Sequence, residues 1–168
     1  MWGKHISVTI PGGTLAIGDG TWIGDRCVLE VSPRPVADVR IGSECFLAHD
    51  VHIGSYQRIH IGNKVRIAEF TSLRDFSHSY RDAGQTISHQ GDIVGWINIE
   101  DDVWIGQGCI VLGDPTGTVI GKGAVIGAHS VVKGSIAANA IAVGSPARIV
   151  GYRSDTDPST APNPESLG

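Results

Sequence analysis

A period of six constrains this chain more than any other feature. Stepping by six from Ile17 meets Ile17, Ile23, Leu29, Pro35, Ile41, Leu47 and Ile53, aliphatic at all but one step. Glycine stands directly after four of them, at Gly18, Gly24, Gly42 and Gly54. A small or β-branched residue recurs four positions on, as Thr21, Cys27, Val39, Cys45 and Val51. After a two-residue slip at Ile59-His60 the phase resumes at Ile61, Ile67 and Leu73, with Val65 and Thr71 in the small position. It returns at Ile99 and Ile105 (with Val103 and Cys109), is stretched by Gly113 to Thr118, and continues at Ile120, Ile126, Val132 and Ala138. Six residues per flat side and three sides per turn predict an 18-residue triangular coil. Its aliphatics point inward, and neighbouring coils pair at about 4.8 Å. The glycine is expected at the corner, where positive φ or close approach of chain is needed.

Composition agrees with an all-β coil and excludes most alternatives. The 168 residues include 23 Gly, one Met, four Trp, three Tyr and three Phe. A helical bundle with that much glycine is disfavoured by about 1 kcal/mol for each one in a helix interior. Disorder of the whole chain conflicts with 41% hydrophobic and 18% charged residues. A net charge of −4 supplies no basic field for nucleic acid or an anionic membrane. No apolar run reaches the 18 or more residues of a membrane span, and the first 11 residues lack the plan of a secretory signal, so a cytoplasmic protein without membrane insertion is expected. Cys27, Cys45 and Cys109 all take the inward small position, as buried small hydrophobes. Cys27 and Cys45, 18 residues apart, are expected to stack on adjacent coils, a spacing at which a disulfide is geometrically thinkable.

Two segments leave the pattern. Residues 79–96 carry no hexad phase and are mostly polar, which reads as a functional loop. The tail from Ser154 (SDTDPSTAPNPESLG) has almost nothing to bury. The chain thus divides into a β-helical domain, 1–153, and a disordered or extended tail, 154–168.

The hexads, the SHSY loop, the VWIGQG coil and the ending VIGAHSVVKGSIAANAIAVGSPARIVGYR resemble the left-handed parallel β-helix acyltransferases, and within them the saccharide and xenobiotic O-acetyltransferases. The resemblance spans about residues 15–153. It implies a homotrimer with acetyl-CoA as co-substrate in the groove between subunits. It also implies a small-molecule or glycan acceptor entering from the opposite end, and no metal. His78 matches the catalytic histidine, the general base of a direct transfer, since imidazole can take the hydroxyl proton as attack on the thioester develops. Asp75, Asp82 and Glu69 are candidates to orient His78 or bind acceptor hydroxyls, with Arg74 and Tyr80 lining the acceptor site. Trp104 matches the tryptophan near the thioester, and the Gln107 N–H matches the oxyanion donor. Ala128 matches a backbone contact to pantetheine, Arg148 a phosphate contact that Arg153 could assist, and Lys133 a phosphate lysine that the family often places one position later.

Two rival readings follow from other features. Seven histidines raise a zinc hydro-lyase resembling the γ-class carbonic anhydrases, but His49 and His52 share one hexad, the hexad above them (Ile67 to Ser72) offers none, and His60 lies in the slip at a corner. A non-catalytic solenoid scaffold would have no reason to interrupt its stacking with His78 and a polar excursion.

Overall fold

The computed structural model describes residues 2–33 and 36–153; the predicted tail, 154–168, and Pro35 of the hexad series lie outside them. The chain winds as a left-handed parallel β-helix of triangular section. The first face stacks Ser7–Thr9, Val28–Val31, His52–Ser55, Ser72–Arg74, Ile110–Leu112 and Val131–Lys133. The second stacks Thr14–Ile17, Asp38–Ile41, Arg58–Ile61, Trp96–Ile99 and Thr118–Ile120. The third stacks Trp22–Ile23, Phe46–Leu47, Arg66–Ile67, Trp104–Ile105, Val125–Ile126 and Ala140–Gly144, against which Ala147–Tyr152 folds back antiparallel.

The predicted aliphatics form the core. Ile23, Leu47, Ile53, Ile67, Leu73, Ile105, Ile120, Ile126 and Val132 are fully buried, and the small inward positions Thr21, Cys27, Cys45, Val65, Thr71, Val103 and Cys109 are buried with them. The choice of Thr and Cys there has a reason the period does not reveal. Thr21 Oγ1 donates to Gly42 O, Cys27 Sγ to Ala48 O, Cys45 Sγ to Gly62 O, Thr71 Oγ1 to Gly106 O and Cys109 Sγ to Gly127 O. Each hydroxyl or thiol thus supplies a donor to a corner carbonyl of the next coil, and at Gly127 O the Ser130 hydroxyl donates as well, at 2.7 Å. Burial pushes all three thiols above their ordinary pKa, as suits groups that pack and donate rather than react.

Several expectations are corrected. Rungs are not spaced by a uniform 18 residues: Val28 pairs with His52, Phe46 with Arg66, Arg66 with Trp104 and Trp104 with Val125. The surplus falls at one vertex, between the first and second faces, at residues 10–13, 32–37, 56–57, 75–95 and 113–117. The slip therefore sits at Tyr56-Gln57, and His60 is in mid-strand on the second face. Cys27 and Cys45 lie on different faces and do not stack; all three cysteines are free. At the last coil the phase shifts, so that Ile136 bridges to Ile120 and Ala138 is exposed.

Glycine after the aliphatic serves close approach. A Cβ at Gly18, Gly42 or Gly106 would lie within 2.7 Å of backbone in the next coil. The positive φ falls two residues later and is carried mostly by other residues, among them Arg26, Glu44, Asp50, Lys64, Phe70 and Asp102. Gly54 belongs to neither group, because it lies inside His52–Ser55.

Outward polar residues form ladders over the coils. Asp38 on the second face accepts hydrogen bonds from Thr14, from His60 Nε2 (2.8 Å) and from Arg40 Nε (2.9 Å). Burial pushes its pKa up, but those hydrogen bonds and the Arg40 charge outweigh it and hold the carboxyl below its ordinary value. A folded-state pKa below the unfolded one contributes stability above pH ~4 that is lost as pH falls through the folded value. Asp38→Asn should therefore show a shallower loss of melting temperature than wild type between pH 5 and pH 2.5, measured by circular dichroism.

Candidate functional site

The long insertion at the variable vertex is a hairpin. Phe76–His78 pairs antiparallel with Asp92–Val94, in the register Phe76 with Val94, Ser77 with Ile93 and His78 with Asp92. The excursion thus runs from 75 to 95, and Trp96 already belongs to the second face, where Arg58 lies over its ring at 4.6 Å. The base is clamped by Gly95 N–H to Asp75 O at 2.7 Å. The tip organises itself around Asp82, which accepts from Gly84 N–H (2.8 Å) and Gln85 Nε2 (2.9 Å), while Gln90 bonds Asp82 N–H, Asp82 O and Gln85 O.

His78 is exposed on this hairpin, and its Nδ1 lies 3.1 Å from Asp92 Oδ1. A carboxylate can only accept, so Nδ1 carries the proton and Nε2 is left as a free, basic nitrogen facing solvent. Asp92 is the partner that sequence reasoning missed: fourteen residues separate it from His78, and only the hairpin register brings them together. Two of the three carboxylates suggested instead, Asp75 and Asp82, do other work. Asp75 is fully buried, and its carboxyl accepts from Ser55 Oγ (2.7 Å), Tyr56 N–H (2.6 Å), Gln57 N–H (2.9 Å) and Arg58 N–H (2.7 Å). It ties the hairpin base to the corner below and has no access to an acceptor molecule. Asp82 shapes the tip. Glu69 stands on another side of the coil.

A cavity of about 240 Å³ lies between the hairpin and the later coils, lined by Ser77, Tyr80, Ile93, Leu112, Asp114 and Lys133 among others. Tyr80 and Lys133 are thus brought together, with Lys133 Nζ 3.9 Å from Asp114. Arg74 lies on the first face, 3.3 Å from His52 Nδ1.

The second cluster lies on the third face. Trp104 is exposed there, between a groove of about 390 Å³ lined with Lys64, Arg66, Val125 and Arg153 and a smaller one lined with Phe46, Arg66 and Glu69. Lys64 and Arg66 had no motif to mark them; only the stacking of Arg66 beneath Trp104 makes them neighbours. Arg153 reaches the groove from the final strand and donates to Asp102 Oδ2 (3.0 Å) and Gly123 O (2.9 Å). Arg148 is exposed on the returning strand and bonds Ala147 O. Gln107 and Ala128 occupy successive corners beside this face. At the corresponding corner below, Asp25 N–H is capped by His49 Nδ1 at 3.0 Å. Ala128 offers no such cap, and among the described residues the Gln107 N–H has no acceptor.

The third face of a triangle lies opposite the vertex between the other two. His78 and Trp104 are therefore on different sides of one chain, which carries the parts without joining them. No group of three His, Cys, Asp or Glu side chains is placed to hold a metal ion among the described residues. Nor is any helix there long and apolar enough to cross a membrane.

No known family profile matches the chain. A probable acetyltransferase of Mycobacterium tuberculosis is 36% identical over 151 residues, covering 90% of this chain and 48% of the relative. The galactoside O-acetyltransferase of Escherichia coli is 27% identical over 84% of this chain and 65% of its own length. The chain is thus similar to proteins named as acetyltransferases over most of its own length. It spans about half the length of the curated relatives it matches. Among solved structures, a mutant of AntD, an N-acyltransferase from Bacillus cereus in complex with dTDP and coenzyme A, superposes with a TM-score of 0.73 at 24% identity, covering 92% of this chain and 84% of that one.

The Asp75 assignment is testable. Asp75→Ala leaves a hydroxyl and three N–H groups without an acceptor and should cost about 3–5 kcal/mol in urea unfolding. A loss below about 1 kcal/mol would show that the corner does not depend on it.

Proposed function

We propose that the protein is a CoA-dependent acyltransferase moving an acetyl group to a hydroxyl of a sugar or related small acceptor, with His78 as general base. The observation that carries this is the His78–Asp92 pair, which leaves Nε2 of an exposed imidazole open to a substrate on a hairpin of a coil similar in sequence to acetyltransferases. The acceptor hydroxyl gives its proton to Nε2 as its oxygen attacks the thioester carbon. The tetrahedral intermediate's oxyanion is met by the Gln107 N–H, and collapse expels the CoA thiolate, which takes the proton back from the imidazolium. Asp92 holds the tautomer and stabilises the imidazolium. No acyl-enzyme forms.

CoA would lie along the third-face groove, with Trp104 near the thioester, the Ala128 backbone on the pantetheine, and Arg153 and Arg148, helped by Lys64 and Arg66, toward the phosphates. Lys133 lies with the hairpin and Tyr80, which favours contact near the acceptor or thioester over one with the phosphates. Because His78 and Trp104 face different ways, the complete site requires two subunits, and a homotrimer is the assembly that supplies three such sites by symmetry.

His78→Ala should lower acyl transfer by about 10²–10⁴-fold, measured as free thiol release from acetyl-CoA. Asp92→Asn, which disturbs the tautomer, should cost about tenfold and alter the pH profile. Co-refolding the inactive His78→Ala and Trp104→Ala chains should restore part of the wild-type rate, because some interfaces then hold both native residues. No restoration, with the size of the assembly unchanged, would place both residues' functions within one chain.

A further inference from the structure

The hairpin has two faces with different surroundings. Alternation along the strands puts Ser77 and Ile93 on the side toward the later coils, and Phe76, Val94, His78 and Asp92 on the other. On that other side, Phe76 stacks on Tyr56 with ring centroids 3.8 Å apart and planes within 15°. The pair walls a cleft of about 210 Å³ whose remaining lining includes Thr9, Pro11, Glu30 and Gly54. Phe76 and His78 are two residues apart on one strand, about 7 Å, the span of one pyranose ring.

Glu30, Gly54 and Arg74 are directly in register on three successive rungs of the first face. Their chemistry is ordered through His52. Arg74 can only donate, so His52 Nδ1 accepts from its Nη2 at 3.3 Å, and His52 Nε2 carries the proton and donates to Glu30 Oε2 at 3.0 Å. Glu30 is thereby fixed while half of its side chain stays exposed to accept further hydrogen bonds. Between Glu30 and Arg74 stands Gly54, whose backbone does not require glycine. A Cβ there would meet Phe76 Cε1 at 3.5 Å, His52 Nε2 at 3.8 Å and Arg74 Cγ at 3.9 Å, all ordinary contacts, and its φ is not in the positive range. Glycine inside a strand costs stability. What it provides here is open floor.

Resting on the acyltransferase reading, we propose that this cleft is the acceptor-ring subsite. Gly54 makes the room, the Phe76 ring, backed by Tyr56, forms an apolar wall for the C–H face of a pyranose, and Glu30 accepts from its hydroxyls as the specificity-determining residue.

The test is direct binding without catalysis. Saturation-transfer NMR on the full chain would use methyl α-D-glucopyranoside, methyl β-D-galactopyranoside and methyl N-acetyl-β-D-glucosaminide. At least one should bind wild type. Gly54→Ala should bind more weakly, Gly54→Leu should abolish the signal, and Glu30→Gln should weaken it by about tenfold, the loss of a hydrogen bond to a charged group. Calorimetric binding of CoA should be the same in all of them. Glu30 is exposed, so its variant reports even where Gly54→Leu does not fold. Absence of binding by wild type, or binding unchanged in Gly54→Leu and Glu30→Gln, overturns the subsite. Failure of wild type to bind CoA overturns the acyltransferase reading and leaves the pyranoside result standing.

Discussion

Inward stacking of aliphatic side chains at the rung spacing of a parallel sheet is the constraint on which everything else here depends. Ile23, Leu47, Ile67, Ile105 and Ile126 form one such column, each fixed by the strand pairs above and below. A column tolerates no insertion within a face, because a slip of one residue would turn the aliphatic outward. Extra residues can enter only where the chain leaves a face. Two of the three vertices, between the second and third faces and between the third and first, keep a corner of four residues at every coil. The vertex between the first and second faces is the one place left for new chemistry, and the His78 hairpin grows from it.

A hairpin projecting from a coil must be anchored if its side chains are to hold position. Asp75 provides the anchor from within the structure. Its four hydrogen bonds bind the hairpin base to the Ser55–Arg58 corner, and the Tyr56–Phe76 stack extends that contact by one residue. His78 is then three residues from a fully buried point, and its pairing with Asp92 follows from the register alone. A flexible loop could bring a histidine to the same place but would pay the entropy of fixing it at each encounter with substrate.

The coil was legible in the sequence because its cause is periodic: one aliphatic every six residues declares both the faces and the core. What the period could not declare is anything decided by contacts outside it. The Cys27–Cys45 spacing matches an ideal coil, yet the six extra residues at 32–37 move Cys27 over Val51 and onto a different face from Cys45. Asp75 and Asp92 are equally polar, and Asp75 is the nearer to His78 in the chain, three residues away against fourteen. Which is buried and which faces the imidazole depends on hairpin pairing, for which this segment carries no alternation strong enough to read. Lys64 and Arg66 look like ordinary surface charges until the 38-residue rung from Arg66 to Trp104 is known.

The same geometry decides where this chain can offer a substrate a concave surface. A triangular prism has no concave interior available to a substrate, because its interior is filled with isoleucine, leucine and valine. Concavity must come either from an outgrowth folded back on a face or from a second prism. This chain has the first: the hairpin makes clefts on its two sides, while the Trp104 groove on the opposite face is open. An acyl donor as long as CoA needs a groove closed on its far side. The outgrowth that would close it on the proposed reading is the hairpin of a neighbour, which places His78 from one subunit over Trp104 of the next. The division of parts between face and vertex is thus what a solid coil imposes on any enzyme built from it.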